Sequence, residues 1–143
     1  MGENPLDAEQ VRALGRHHAE VETAGELEET MATLVEEPIY DFFPVGLRLK
    51  GDAAVRRYYQ HLFDHFLPLV KHSEVIGEWA DEHALVQEYV VYLHHDGHDE
   101  RHFLTGILYV EGDKLGGERI WGSDAFLRRM IGPIWDELES IDA

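Results

Sequence analysis

The hydrophobic period changes once along the chain, and this change constrains the fold more than any other feature. Before residue 70, apolar residues recur every three or four positions, as on the buried face of a helix. The strongest such run consists of Val55, Tyr58, Tyr59, Leu62, Phe63 and Phe66. From Glu74 to Trp121 apolar residues alternate with polar ones, which is the period of strands. Helices followed by strands predict an α+β fold rather than a parallel α/β sheet.

Helix and turn signals divide the chain into elements. Residues 6–22 and 26–34 are predicted to be helices, with Asp7 as N-cap of the first, and a third helix ends before Pro68. An extended piece around Ile39 and a short strand at 47–50 lie between the second and third helices. Four longer strands are predicted at 74–80, 84–95, 101–111 and 115–121. The turn residues between them predict an antiparallel meander, and one or two short helices are expected in 124–132 and 134–141.

Length and composition favour one domain. The chain has 143 residues, of which 44% are hydrophobic, enough for one core. Its apolar runs are too short to span a bilayer, and residues 1–9 resemble no secretory leader, so a cytoplasmic location is expected. The chain has no cysteine. Disulfides, thiolate catalysis and iron–sulfur clusters are therefore excluded.

The charge of the chain is strongly acidic. With 29 acidic and 12 basic residues, its formal net charge is −17. Such a chain repels nucleic acid and anionic membranes, so neither is an expected partner. Only Lys50, Lys71 and Lys114 are lysines, whereas the other basic residues are arginines. This bias is typical of a salt-adapted, halophilic surface, although an ordinary acidic protein also fits.

Two stretches carry a resemblance to a known family. The first contains Gly25-Glu26-Leu27-Glu28, Phe43-Pro44-Val45-Gly46, Leu49-Lys50-Gly51 and Val55-Arg56-Arg57-Tyr58-Tyr59. The second contains Gly112-Asp113-Lys114-Leu115, Glu118-Arg119-Ile120-Trp121, Phe126-Leu127 and Gly132. They resemble SnoaL-like polyketide cyclase relatives, in the nuclear transport factor 2-like superfamily that includes ketosteroid isomerase. The resemblance covers about residues 8–132 of a single domain spanning 1–143.

The resemblance implies a cone-shaped, cystatin-like α+β barrel. In it, a curved antiparallel sheet of about five to six strands is wrapped by three N-terminal helices around a pocket. It also implies a small hydrophobic or aromatic ligand, chemistry without metal or cofactor, and a homodimer formed through the outer sheet face. The residues expected to contribute to that interface are Tyr89, Val91, Leu93, Leu104 and Leu108.

Some cyclases of this family carry an acid/base aspartate two positions after the aromatic residue of the last strand. Here Trp121 is that aromatic residue and Ser123 occupies the aspartate's position, with Asp124 one residue further on. Either Asp124 takes the role or the chain lacks it. Ser123 or Asp124 is also suited to cap the following helix.

Proton transfer in such a pocket needs a desolvated carboxylate or histidine and hydrogen-bond donors. The candidate catalytic residues are Glu88, His17 and Asp124, and the candidate ligand-binding residues are Tyr40, Tyr58, His102, Arg119 and Trp121. Glu88 interrupts an apolar strand and lies either in the cavity or on the exposed sheet face. In the superfamily the first helix lines the cavity mouth, so His17 or His18 is expected to face inward.

The remaining histidines do not indicate a metal site. His94 and His95 point to opposite faces of a strand beside an exposed turn, and His61 and His65 fall outside the apolar stripe of the third helix. Two hypotheses follow. The first is a SnoaL-like protein that binds a small molecule, with isomerase, cyclase or hydratase-type acid–base activity. The second is a noncatalytic ligand-binding or dimerisation module of the same fold.

Overall fold

A computed structural model describes residues 5–142. Residues 1–4 and 143, which include part of the segment 1–9 discussed above, lie outside this range. The helices are α1 (Ala8–Thr23), α2 (Leu27–Ala32), α3 (Asp52–His61) and α4 (Asp124–Ile131). The strands are β1 (Leu34–Phe43), β2 (Leu47–Lys50), β3 (Val70–Ala80), β4 (Ala84–His95), β5 (His98–Glu111), β6 (Lys114–Trp121) and β7 (Glu139–Ser140). No helix in the described range is long and apolar enough to cross a membrane.

The strands form one open curved sheet in the order β3-β4-β5-β6-β1-β2-β7. Strands β3 to β6 are the predicted antiparallel meander, and β1 pairs in parallel with β6. His95 pairs with His98, so the β4–β5 turn consists of Asp96 and Gly97 alone. Both have positive φ angles, 51° and 78°, which is the conformation of a type I′ turn. The predicted α+β fold is confirmed, with seven strands instead of five to six.

Helix α1 packs directly on the inner face of the sheet. Asp7 caps it and forms a capping box with Gln10. Its buried face is Val11, Gly15, His18 and Val21, which recur at helical spacing. A Cβ atom at Gly15 would lie 2.5 Å from Leu85 Cδ2 and 3.0 Å from Leu85 Cβ, so only glycine allows this close approach to β4.

The third predicted helix continues beyond α3 as a wider π turn over Leu62–Phe66 and then a tighter 3-10 turn over Leu67–Leu69. The helix therefore ends next to Pro68, where the sequence predicted its end. Its predicted apolar stripe is buried: Val55, Tyr58, Tyr59, Leu62 and Phe66 are all at most 5% exposed. This segment forms the second wall over the sheet.

The residues predicted to form a dimer interface lie on the inner face of the sheet, whereas they were expected on its outer face. Val91, Leu93, Leu104 and Leu108 are buried inside the chain, and Tyr89 is half-buried there. Alternation separates two faces of a strand but does not say which face points inward, which is why this assignment was wrong. The outer face instead presents Trp79, Phe103 and Trp121, which are 57%, 60% and 46% exposed.

The end of the chain also differs from expectation. A 3-10 segment covers Gly132–Glu137, and Ser140 of the short strand β7 pairs with Leu47 of β2. The helix predicted for 134–141 is therefore replaced by a 3-10 segment and an edge strand, while Gly132, with a positive φ of 57°, ends α4. At the opposite edge, the pairing of β3 with β4 shifts by one residue between Val75 and Gly77, which leaves Ile76 as a bulge.

The contact between α1 and β4 predicts the effect of enlarging Gly15. Gly15→Val forces α1 away from Leu85, and we expect a loss of about 1–3 kcal/mol in the free energy of unfolding. Urea denaturation measures this loss. Glu20→Ala, at an exposed site in the same helix, is the matched control and should change stability by less than about 0.5 kcal/mol. Unchanged stability of Gly15→Val would contradict the close packing of α1.

Candidate functional site

A cavity of about 200 Å³ lies between α1, the end of the third helix and the inner face of the sheet. Its walls are mostly apolar, and they include Leu62, Phe66, Val91, Leu104, Leu108, Phe126 and Met130. Its polar lining includes His18, Glu22 and Glu118. The exposed lining residues Thr23, Ser73 and Glu74 mark the opening to solvent.

The tautomer of His18 follows from its partners. The His18 ring is 1% exposed, and its Nδ1 lies 2.7 Å from Thr33 Oγ1. The Thr33 hydroxyl donates its proton to the carbonyl oxygen of Thr30, also at 2.7 Å. It can therefore only accept from His18, so Nδ1 carries a proton. This leaves Nε2 to face the cavity cluster.

His18 Nε2 lies 3.1 Å from Glu22 Oε2 and 3.0 Å from the Tyr59 hydroxyl. Tyr59 donates to Glu22 Oε2 at 2.9 Å, and Tyr40, 2.5 Å from Tyr59, then donates to the Tyr59 oxygen. His18 Nε2 therefore lies within hydrogen-bond distance of both a hydroxyl and a carboxylate oxygen. An imidazole placed beside a carboxylate in this way is suited to act as a general acid or base.

Glu118 on β6 is the third polar group of the cavity and the most confined. It is 8% exposed, and its carboxyl makes no hydrogen bond to any residue in the described range. Loss of water raises the pKa of this carboxyl well above its ordinary value, and the nearby charge of Glu22 raises it further. Burial therefore favours the protonated acid, which can donate a hydrogen bond into the cavity.

Glycine at position 106 makes room for the Glu118 carboxyl. A Cβ atom at Gly106, on the neighbouring strand β5, would lie 2.7 Å from Glu118 Oε2. One donor atom from each of His18, Glu22 and Glu118 lies within 4.8 Å of the other two. An imidazole nitrogen and carboxylate oxygens are also donors that zinc accepts. The same spacing lets all three side chains contact one small polar group.

Burial raises the pKa values of Tyr40 and Tyr59 well above the ordinary value of tyrosine. Both hydroxyls therefore keep their protons and act as donors in the network around Glu22. Tyr40 is 0% exposed and lies behind Tyr59, so it supports the cluster without lining the cavity.

The structure places the three candidate catalytic residues outside the cavity. Glu88 is exposed and pairs with Gly77 on the outer face of the sheet. His17 is exposed on α1, because the helix turns the next residue, His18, inward. Asp124 is exposed at the start of α4 and pairs with Arg128, while the Ser123 hydroxyl accepts from the Phe126 amide and caps the helix.

The candidate ligand-binding residues are also dispersed. Arg119 lies over the ring of Tyr109, and Trp121 stacks on Phe43 at the outer face. The Tyr58 hydroxyl contacts Met130 Sδ at 3.7 Å. His102 is half-buried and hydrogen-bonded to Glu100. Of the five predicted ligand-binding residues, only Tyr40 joins the polar cluster.

Sequence reasoning missed Glu22, Thr33, Tyr59 and Glu118 as site residues. A signal was present for two of them: Glu22 is one helical turn after His18, and Glu118 shares a strand face with Ile120, which is buried. Thr33 and Tyr59 reach His18 only through tertiary contacts, which no local pattern reports. The cluster therefore depends on how α1, α3 and β6 meet.

Comparisons with known proteins show the fold. No protein-family model matches the chain, and no curated protein matches it significantly. Among solved structures, a ketosteroid isomerase candidate from Kribbella flavida is 21% identical, with a TM-score of 0.65 over 82% of this chain and 80% of that one. An epoxide hydrolase of the LEH-like type from M. tuberculosis is 11% identical, with a TM-score of 0.66 over 87% of this chain and 90% of that one.

An NTF2-like protein from Anabaena variabilis is 16% identical, with a TM-score of 0.67 over 87% of this chain and 95% of that one. At sequence identities this low, the similarity shows a shared fold and nothing more. The order of the helices, the curved sheet and the cavity of this chain agree with that fold. The chain therefore has the nuclear transport factor 2-like fold expected from its sequence.

Proposed function

We propose that the chain binds a small, mostly apolar molecule in its cavity and catalyses proton transfer on it, as an isomerase, cyclase or hydratase does. The observation that carries this proposal is the hydrogen-bonded pair His18–Glu22 beside Glu118, which is buried and has no hydrogen-bond partner within residues 5–142, in an otherwise apolar cavity. Burial favours the acid form of Glu118, and the pair His18–Glu22 beside it can act as the base. Proton-transfer enzymes combine an acid and a base in this way.

The cavity volume limits the ligand. About 200 Å³ is slightly more than the roughly 150 Å³ of an apolar cavity that accepts benzene. A molecule with one ring therefore fits, with its apolar body against Phe66 and Phe126. These two rings meet edge to face with centroids 5.5 Å apart, which fixes the shape of that wall.

The roles follow from the contacts. Glu118 as an acid donates a hydrogen bond to the polar atom of the ligand, and the pair His18–Glu22 takes a proton from a neighbouring carbon or from water and returns it. Thr33 and Tyr59 hold the imidazole and the carboxylate in place. A ketosteroid isomerase candidate and an epoxide hydrolase among the structural neighbours support chemistry of this kind.

The alternative is a noncatalytic ligand-binding module. The observation in its favour is that Ser123, at the position of the aspartate implied by the SnoaL-like resemblance, is committed to capping α4. Both functions use the cavity, and turnover separates them.

Conversion of 3-cyclohexen-1-one to 2-cyclohexen-1-one tests the catalytic role with a one-ring probe. A base removes a proton from C2, and the same proton or another returns at C4 while Glu118 stabilises the enolate oxygen. We expect the protein to accelerate this conversion, monitored by the absorbance of the conjugated product. Glu22→Gln and Glu118→Gln should each lower kcat/KM about 100-fold or more.

Glu20→Gln and Glu111→Gln, at exposed positions on α1 and β5, are the matched controls and should keep full activity. Absence of turnover in the parent protein, together with binding of the enone in the cavity, would favour the noncatalytic module. Equal activity of the parent protein and Glu118→Gln would contradict the role of Glu118.

The pH dependence of stability tests the protonation of Glu118. Its pKa in the folded state is raised above the ordinary 4.5. Above pH 4.5 the unfolded chain releases this proton while the folded chain keeps it, so this group destabilises the fold increasingly as the pH rises toward its folded pKa. Glu118→Gln has no such proton, so its free energy of unfolding relative to the parent protein should rise with pH between 5 and 8. Denaturant unfolding measures both proteins, and a constant difference would contradict the assignment.

We further propose that the chain forms a homodimer through the outer sheet face. Trp79, Phe103 and Trp121 expose large apolar side chains there, and such a patch is typical of an interface. Phe103→Glu should convert the dimer into a monomer in sedimentation velocity experiments. Val75→Glu, at a residue that is 55% exposed and lines the cavity, should remain dimeric. A parent protein that is monomeric at high salt would exclude this interface.

A further inference from the structure

The charged groups around the cavity are almost all of one sign. Glu22, Glu74 and Glu118 line it together with His18, and no lysine or arginine is among the described residues that do so. The neighbouring surface adds to this field, because the whole chain carries a formal charge of −17. A ligand with a permanent negative charge has no lysine or arginine to pair with among these lining residues and is repelled by the acidic side chains.

Glu118 requires a hydrogen-bond donor from the ligand. Its carboxyl is more than nine-tenths buried, is directed into the cavity and makes no hydrogen bond within residues 5–142. Buried polar groups in folded proteins are nearly always paired, so an unpaired carboxyl facing a cavity indicates a missing ligand group. Because one oxygen each of Glu22 and Glu118 lies within 4.8 Å of the other, one ligand group can reach both.

We propose that the natural ligand carries a basic amine, which the cavity binds as an ammonium group between Glu118 and Glu22. This inference rests on the proposed binding of a small molecule in the same cavity, with Glu118 accepting from the ammonium as a carboxylate instead of donating as an acid. An alkylammonium offers three N–H donors, whereas a hydroxyl offers one and a carboxylate none. The ammonium therefore satisfies both carboxyl groups at once.

Charge balance supports the same ligand. When an ammonium displaces the proton of Glu118, the new positive charge and the new Glu118 carboxylate cancel, so ligand binding adds no net charge to the buried site. A buried charge that is paired and hydrogen-bonded avoids the desolvation cost of an isolated one.

Benzylamine, benzyl alcohol and benzoate test this inference, because they share one ring and one substituent carbon and differ in charge. Titration calorimetry at pH 7 on the full chain should show benzylamine binding at least about tenfold tighter than benzyl alcohol, and benzoate should show no binding. Repeating the titration in buffers of different ionisation enthalpy should show that benzylamine binding releases protons, since the Glu118 carboxyl ionises. Benzyl alcohol should release none.

Glu118→Gln is the decisive variant. The amide resembles the protonated carboxyl in shape and charge, so the variant should bind benzyl alcohol within about threefold of the parent protein. It should lose both the preference for benzylamine and the proton release. Glu111→Gln, an exposed change on β5, should keep both and controls for the general attraction of a cation to an acidic protein. If Glu118→Gln does not fold, Glu22→Gln removes the second carboxyl that contacts the ammonium and should lower the preference for benzylamine while keeping the proton release.

The outcomes separate this inference from the proposed function. Benzyl alcohol binding as tightly as benzylamine, or a preference that survives in Glu118→Gln, overturns the amine and leaves the cavity as a binding site. Failure of all three probes to bind, with turnover of the enone intact, also overturns the amine alone. Selective binding of benzylamine without enone turnover supports the amine ligand and removes the catalytic role.

Discussion

Helix α1 contacts strand β4 through the Leu85 side chain, for which Gly15 leaves room, and the position of the candidate site depends on this contact. One turn further along, the same helix directs His18 inward to meet Thr33 and Tyr59. A second turn brings Glu22 to the edge of the cavity. A helix held further from the sheet would carry the His18–Glu22 pair away from Glu118, whose place on β6 is set by the pairing of the sheet. The acid and the base that we propose for the site therefore come from two different layers of the fold.

The sequence predicts those parts of the fold that depend on residues close together along the chain. The apolar stripe of the third helix, the four alternating runs and the Asp-Gly turn between β4 and β5 all predict the elements that form. The parallel pairing of β1 with β6 and the pairing of β7 with β2 join residues that are distant along the chain, and no local pattern predicts them. The SnoaL-like resemblance and the salt-adapted surface remain predictions.

The candidate site could be predicted less well, because burial decides which member of a neighbouring pair faces the cavity. His17 and His18 are adjacent in sequence, yet only His18 is enclosed by the fold. Glu88 and Glu118 are both acidic residues within strands, but Glu88 faces solvent and Glu118 faces the cavity. Alternation along a strand separates two faces but does not say which one points inward, and the packing of α1 and α3 on the sheet decides this. Once the inward face is known, Glu118 is identified as the carboxyl that faces the cavity.

The two edges of the sheet bear on how the chain avoids self-association. One edge is β3, where the bulge at Ile76 breaks the regular row of backbone groups, and the other is β7, which is two residues long. An incoming strand needs a long, regular edge to form a continued ladder. Neither edge offers one, so fibre-like growth by strand addition is disfavoured despite the exposed Val75 and Ile76 beside the bulge. The proposed contact between copies therefore uses side chains on the sheet face, which can be selected for specificity in a way that backbone pairing cannot.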